Sequence, residues 1–168
     1  MPSFAGHGRP NIKYVLSVLD NSISQPKPKE VNKDKFVQKL IILDDTMDAD
    51  LLMKLADGCD FIEECLARDD GGVMVHCQLG QSRSASMVIA YIMRKQGLEY
   101  QKALEKVKYK RGIVRPNPGF VAQLQLWAEM NCSIFSSGLD GEGQMRKKQV
   151  YTLWKEEQKR RVERVMNI

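Results

Sequence analysis

One nine-residue segment constrains the fold more than any other part of the chain: residues 76–84, with the sequence HCQLGQSRS. Residues 72–75 before it form a short apolar run that predicts a buried strand, and residues 84–93 after it have the composition of a buried helix. The nine residues are therefore predicted to form a strand-to-helix loop. Such a loop is typical of α/β proteins, in which ligands bind beyond the carboxyl ends of the strands.

The residue types in this loop suit a phosphate group. Successive backbone N–H groups that close onto a helix N-terminus attract an anion. The same field lowers the pKa of a thiol, so we expect Cys77 to be wholly or partly ionised at neutral pH. A thiolate here can attack phosphorus and form a phosphocysteine intermediate. The planar fork of Arg83 can bind two phosphate oxygens and stabilise charge in the transition state.

The remaining loop residues also fit this chemistry. Gly80 permits a positive φ and a close approach of the backbone to the ligand, and the Ser84 hydroxyl can cap the helix or donate to the sulfur as it leaves. Taken singly, such a cysteine is more often a buried apolar residue and such an arginine a solvated charge. Together, in the predicted strand-loop-helix context, they indicate a phosphatase. The predicted substrate-binding residues are Gln78, Leu79, Gly80, Gln81, Ser82 and Arg83.

The sequence HCQLGQSRS resembles the signature loop of the dual-specificity protein phosphatases, a branch of the cysteine-based protein tyrosine phosphatases, and the resemblance extends over roughly residues 11–131. It implies a phosphatase fold with a central mixed sheet flanked by helices, and hydrolysis of phosphotyrosine and of phosphoserine or phosphothreonine. It also implies that His76 orders the loop and tunes the thiol. A buried imidazole with a purely structural hydrogen bond is the alternative for His76.

The resemblance also implies a general acid upstream of the loop. The sequence LDDT at residues 43–46 resembles the family loop that carries it, and Asp45 lies 32 residues before Cys77, with Asp44 as the second choice. A protonated carboxyl would give its proton to the departing Ser, Thr or Tyr oxygen and then, as a carboxylate, activate water. The alternative for Asp45 is an ordinary loop or helix-capping aspartate, because a helix is predicted over residues 48–68.

The sequence RPNPGF at residues 115–120 resembles the family turn that leads into the last helix of the fold. Asn117 with Pro118 after it predicts an N-cap followed by proline in the first helical turn. The resemblance adds that this asparagine braces the phosphate loop. Both roles are compatible.

The coarse pattern alternates strand and helix, which favours an α/β fold. We predict a short N-terminal segment (1–11), a catalytic domain (12–131) and a basic, partly helical tail (132–168). The family domain usually opens with a further strand and helix, so the first strand and helix are predicted to be missing, which would leave the strand before the loop with an unpaired edge. The predicted strands are 12–19, 36–43 and 72–75, the predicted helices are 48–68, 84–95, 99–110 and 117–130, and 21–34 is a predicted exposed loop.

The positive charge is concentrated at the end of the chain. From Gln144 onward eight Lys or Arg stand against three Glu, which accounts for the whole net charge of +5. The sequence from Gln149 predicts a basic helix that could bind an acidic partner, RNA or a ribonucleoprotein, and a solvated helix face is the alternative. This tail resembles the segment that follows the catalytic domain in fungal dual-specificity phosphatases with a further zinc-binding region, which we do not expect here.

Composition narrows the class of protein. A chain of 168 residues with 43% hydrophobic residues is typical of one domain with its own core. The sequence shows no apolar run of membrane-spanning length and no signal-peptide pattern, so we expect a cytoplasmic protein, with the nucleus as a second location, and no membrane contact. Four cysteines without paired spacing and only two histidines predict reduced thiols, no metal site and no cofactor.

Three functions of different classes remain. The first is a protein phosphatase, for which every motif residue is present. The second is a phosphatase for a non-protein phosphoester, which the neutral residues Gln78, Leu79, Gln81 and Ser82 disfavour because polyanionic substrates would select lysines in the loop. The third is a weakly active or noncatalytic phosphoprotein-binding or scaffold protein. Turnover separates the third from the others, and a panel of substrates separates the first two.

Overall fold

The computed structural model describes residues 11–23 and 35–166. Its main sheet has the order β2-β1-β3, with β1 at Ile12–Leu19, β2 at Val37–Ile42 and β3 at Gly72–His76, and both pairings are parallel. The α/β class is confirmed. The prediction of a mixed sheet is wrong for these three strands, because the helical connection between β2 and β3 returns the chain in the same direction.

The predicted strand bounds agree with the structure to within one residue. β1 covers the predicted residues, β2 is one residue shorter at each end, and β3 continues to His76. The last six residues of β1 are all buried, which is typical of a central parallel strand covered on both faces. Among the described residues β3 pairs with β1 alone. The predicted loss of a first strand and helix concerns residues 1–10, which lie outside the described residues, as does most of the predicted loop at 21–34.

Two of the four helices that follow pack directly on the sheet and the other two pack on those helices, and all four positions follow the predicted pattern. The first begins four residues later than predicted, because Asp50 rather than Asp48 accepts a backbone amide of the first turn, from Met53 at 3.1 Å. The second ends at Gly97, which adopts the left-handed conformation with a φ of 62°, as its position predicted. The helices are α1 at Leu52–Ala67, α2 at Arg83–Gln96, α3 at Tyr100–Lys110 and α4 at Pro118–Glu129.

The core lies between the sheet and these helices. Trp127 and Phe120 of α4 are fully buried, together with Leu55 of α1, Met87 of α2 and Leu16 of β1. Burial of large apolar side chains from every layer holds the elements in one arrangement. The carboxyl ends of β1 and β3 are thereby fixed side by side, which positions the loop after β3.

The chain continues into a hairpin that the sequence analysis did not predict, with β4 at Phe135–Leu139 and β5 at Met145–Lys147 in antiparallel pairing. Its turn is closed by Asp140, whose carboxylate accepts the Gln144 amide at 2.8 Å. The helix α5 follows at Gln149–Met166, in agreement with the predicted helical tail. Within the described ranges, every helix is too short or too polar to cross a bilayer.

Candidate active site

The loop between β3 and α2 is a short connection held in a curved shape. Gly80 has a φ of 67°, a conformation that favours glycine, and a side chain there would meet the guanidinium of Arg111 at 2.9 Å. The Arg111 Nε donates to the Gly80 carbonyl oxygen at 3.3 Å, and the Arg115 amide donates to the Gln81 carbonyl oxygen at 2.8 Å. These bonds tie loop carbonyls to the segment after α3.

The Cys77 sulfur lies at the base of this loop and accepts hydrogen bonds from it. The Gly80 amide and the Ser84 hydroxyl each donate to the sulfur at 3.2 Å. Burial alone would raise the pKa of this thiol, but the Ser84 hydroxyl and the backbone amides of Ser84, Gly80 and Leu79 outweigh it, so the pKa of Cys77 is lowered. Of the two roles weighed for the Ser84 hydroxyl, the structure selects the bond to sulfur.

Arg83 opens α2, and its side chain is only 5% exposed. One terminal nitrogen donates to the Asp20 carboxylate at 2.9 Å and lies 3.4 Å from the Leu43 carbonyl oxygen, and the other lies 3.5 Å from the Gln78 side-chain oxygen. Its buried Nε has no hydrogen-bond partner among the described residues. A buried guanidinium with an unused N–H is suited to bind an anionic ligand.

Asp45, rather than the solvent-exposed Asp44, contacts the loop. Its Oδ1 accepts the Ser82 hydroxyl at 2.6 Å and the Asn117 side-chain amide at 2.9 Å, and its Oδ2 lies 3.9 Å from the Arg83 Nε. The side chain is 36% exposed. The structure therefore places this carboxylate at the rim of the loop, with one oxygen held and the other facing the arginine.

Asn117 joins three parts of the site. Its side-chain oxygen accepts the Phe120 amide at 2.9 Å, which is the predicted N-cap of α4, while its amide nitrogen donates to Asp45. Its backbone N–H donates to the Ser82 hydroxyl at 3.1 Å. Asn117 therefore contacts the phosphate loop through the hydroxyl of Ser82, which is buried.

His76 ends β3 behind the loop, and its Nε2 lies 2.7 Å from the hydroxyl of Ser17, a fully buried residue of β1. This bond fixes the imidazole relative to the neighbouring strand. Leu79 is 69% exposed at the tip of the loop. A cavity of about 560 Å³ runs along this side of the loop, with Cys77, Gln78 and Leu79 in its wall.

Asp20 was not among the residues predicted from the sequence. It follows β1 directly, and its carboxylate accepts a hydrogen bond from the Arg83 guanidinium. The Ser22 hydroxyl and the Arg83 guanidinium lower the pKa of Asp20 to about 2. Its position was the available signal, because carboxyl ends of adjacent parallel strands meet at one edge of a sheet and β3 ends beside β1.

Comparison with known proteins agrees with this geometry. Residues 7–130 match the family model described as the catalytic domain of dual specificity phosphatases. The chain is 40% identical to dual specificity protein phosphatase 1B of Arabidopsis thaliana over 115 residues, covering 68% of this chain and 65% of that protein. It is 44% identical to dual specificity protein phosphatase MPK-4 of Drosophila melanogaster over 112 residues, covering 66% of this chain and 29% of that protein.

The fold has solved counterparts. The Yvh1 phosphatase domain from Chaetomium thermophilum superposes with a TM-score of 0.64 at 33% identity, covering 72% of this chain and 80% of that one. The matched region thus spans less than two thirds of these two curated relatives but most of a solved phosphatase domain. Because the family model covers more than half of the sequence, the chain belongs to the dual specificity phosphatase catalytic-domain family.

Proposed function

We propose that this protein is a dual-specificity protein phosphatase that works through a phosphocysteine intermediate. The observation that carries the proposal is the environment of the Cys77 sulfur, which accepts the Gly80 amide and the Ser84 hydroxyl and has a lowered pKa. A lowered pKa increases the fraction of thiolate, which is the nucleophilic form of a cysteine. Membership of the phosphatase family supports the same conclusion.

In the first step the Cys77 thiolate attacks phosphorus, an S–P bond forms, and the bond from phosphorus to the Ser, Thr or Tyr oxygen breaks. The Arg83 Nε, which is buried without a partner in the described structure, is available to bind an equatorial phosphate oxygen. Asp45 gives its proton to the leaving oxygen. Since its Oδ1 already accepts two hydrogen bonds, the proton is carried by Oδ2.

In the second step water attacks the phosphocysteine, and the S–P bond breaks. The Asp45 carboxylate takes a proton from this water, and the departing sulfur regains the hydrogen bond from the Ser84 hydroxyl, which stabilises it as a thiolate. Inorganic phosphate leaves and the protein returns to its starting state. No cofactor is needed for either step.

Phosphoproteins are the substrates that the family relationship favours. The noncatalytic alternative is disfavoured because nucleophile, arginine and carboxylate are assembled at one loop. The non-protein phosphoester stays the weaker candidate on the neutral loop residues, and RNA contact by the basic helix is a separate hypothesis. A cytoplasmic location, with the nucleus as a second one, stays a proposal that rests on the unpaired spacing of the four cysteines in the sequence.

The test is hydrolysis of an aryl phosphate by the intact chain. We expect vanadate-sensitive turnover that Cys77→Ser abolishes while phosphate binding persists, and that the control Cys132→Ser retains. Asp45→Asn should slow the reaction most for alkyl esters, because their leaving groups need the proton most. Equal turnover by the wild type and Cys77→Ser would refute the proposal.

A further inference from the structure

A second cavity, of about 700 Å³, lies beside the loop that carries Asp45. One wall is residues 46–48, which directly follow Asp45, and another is the start of α4, which directly follows Asn117. The third wall is formed by α5 from Trp154 onward. Residues that line this groove include Met47, Ala122, Trp154, Arg161, Val162 and Val165.

The groove adjoins the rim of the active site, because its first two walls directly follow Asp45 and Asn117, which are hydrogen-bonded to each other. Gly119 packs so closely on the loop that a side chain there would meet the Met47 carbonyl oxygen at 2.0 Å. The Asn117 side-chain amide also lies 3.3 Å from the Thr46 carbonyl oxygen. The loop and the start of α4 are thus one unit, and the groove begins one residue away from Asp45.

The third wall is anchored at its start. Tyr151 of α5 is buried and donates its hydroxyl to the Asp50 carboxylate at 2.7 Å, and Lys155 pairs with the same carboxylate at 3.0 Å. In the second half of α5 the ion pairs join residues of the helix itself, such as Arg161 with Glu157 at 3.5 Å. Among the described residues no ion pair joins this half of α5 to the rest of the domain.

The surface of the groove is apolar and exposed, with Met47 64% exposed, Val162 45%, Val165 75% and Met166 81% exposed. A contiguous patch of this kind is typical of a binding site. The charged side chains in the lining are Asp48 and Arg161, and Arg161 pairs with Glu157. The excess positive charge of this half of α5 surrounds the groove, on Lys159, Arg160 and Arg164, which are outside its lining. The complementary ligand is a polypeptide segment with an apolar side chain among acidic residues.

We propose that this groove binds the polypeptide substrate next to its phosphorylated residue and selects segments with an apolar side chain among acidic residues. The inference rests on the proposed phosphatase function. When a phosphorylated side chain reaches Cys77, the polypeptide on either side of it runs away from the pocket in two directions. The direction past Asp45 leads to Thr46, which lines the groove. This position favours the substrate itself over an unrelated partner.

The experiment uses phosphotyrosine peptides in which a single leucine is moved through a flank of glutamate and serine on either side of the phosphotyrosine. For the wild type, leucine at one position of one flank should raise kcat/KM about tenfold over the all-serine flank, which is the gain expected for partial burial of one leucine. Val162→Asp and Val165→Asp should remove this gain. Both should hydrolyse an aryl phosphate as the wild type does.

Leu153→Asp is the matched control, since Leu153 is 52% exposed on the same helix but does not line the groove. It should keep the preference for leucine. Unfolding midpoints in urea check that all three variants are folded, and Val165, near the end of the helix, supplies a variant with little structural risk.

The outcomes separate the two claims. If the wild type does not hydrolyse an aryl phosphate, the proposed function is refuted, and so is the inference about the groove. If the wild type hydrolyses the aryl phosphate but shows no preference for any leucine position, only the inference about the groove is refuted. The same holds if Val162→Asp keeps the preference of the wild type. Dimerisation or binding of an RNA oligonucleotide that Val162→Asp abolishes, with peptide hydrolysis unchanged, would assign the groove to a different occupant and also overturns the inference.

Discussion

The hydroxyl of Ser84 offers a direct test of how the fold lowers the pKa of the nucleophile. It donates to the Cys77 sulfur at 3.2 Å, and it makes the largest contribution among the groups that oppose the effect of burial on this thiol. A hydrogen bond to a charged group contributes about 1.5–3 kcal/mol, and one pKa unit corresponds to about 1.4 kcal/mol. Ser84→Ala should therefore raise the pKa of Cys77 by about one unit or more.

The assay is the rate of inactivation by iodoacetamide as a function of pH, because this neutral reagent alkylates the thiolate. The midpoint of the profile gives the pKa of Cys77 in each variant. Turnover of an aryl phosphate should also fall, and the second step should become slower relative to the first, because the leaving sulfur loses its donor. A burst of phenol release would reveal the accumulated phosphocysteine.

Ser86 provides the control. It lies two residues further along α2, is fully buried, and has no hydrogen-bond partner for its hydroxyl among the described residues. Ser86→Ala removes the same atom from the same helix without touching the sulfur, so the pKa of Cys77 should stay as in the wild type. A Ser84→Ala midpoint within about 0.3 units of the wild-type value would refute the reasoning.

Two further substitutions test the groups around Arg83 and Asp45. The pKa of Asp20 is lowered from 3.8 to about 2. Its carboxylate therefore stabilises the folded state at pH values above its ordinary pKa, and this contribution is lost as the pH falls through the window between these two pKa values. When the pH is lowered from above this window to below it, the urea midpoint of Asp20→Asn should fall less than that of the wild type. An equal fall in the two proteins would contradict the assignment. Asn117→Ala should lose about 1 kcal/mol of stability with the cap of α4, whereas Asn117→Ser should keep the cap but lose the bond to Asp45. Both variants should show a steeper dependence of rate on the leaving-group pKa, and Asn117→Ser with a wild-type dependence would remove Asn117 from the positioning of Asp45.

The fold was predictable where the pattern of the chain is local. The apolar run of β1 and the glycine that ends α2 gave element bounds close to those observed. The parallel direction of both strand pairings in the main sheet was not predicted, and the hairpin at residues 135–147 was missed. The hairpin strands are short and mostly exposed, so they carry little of the apolar alternation by which a strand is recognised.

The candidate site divides in the same way. Cys77, Gly80, Arg83 and Ser84 lie within eight residues, so the order of residue types along the chain already indicates a phosphate loop with a nucleophile. Their mutual geometry follows from one strand, one turn and one helix. The hydrogen bonds to the Cys77 sulfur come from this segment itself, whereas the loop carbonyls and the Arg83 guanidinium are held by residues from elsewhere in the chain.

The tertiary structure decided everything that reaches the loop from elsewhere. Asp20, Asp45 and Asn117 are between 34 and 63 residues from Arg83 along the chain, and packing of the core brings all three to one edge of the sheet. Loop positions leave little trace in the sequence, since an aspartate that positions an arginine and one that faces solvent are the same residue type. The sequence by itself therefore determined the nucleophile and its loop, and the packing of the parallel sheet and its helices determined the carboxylates that serve it and the groove beside them.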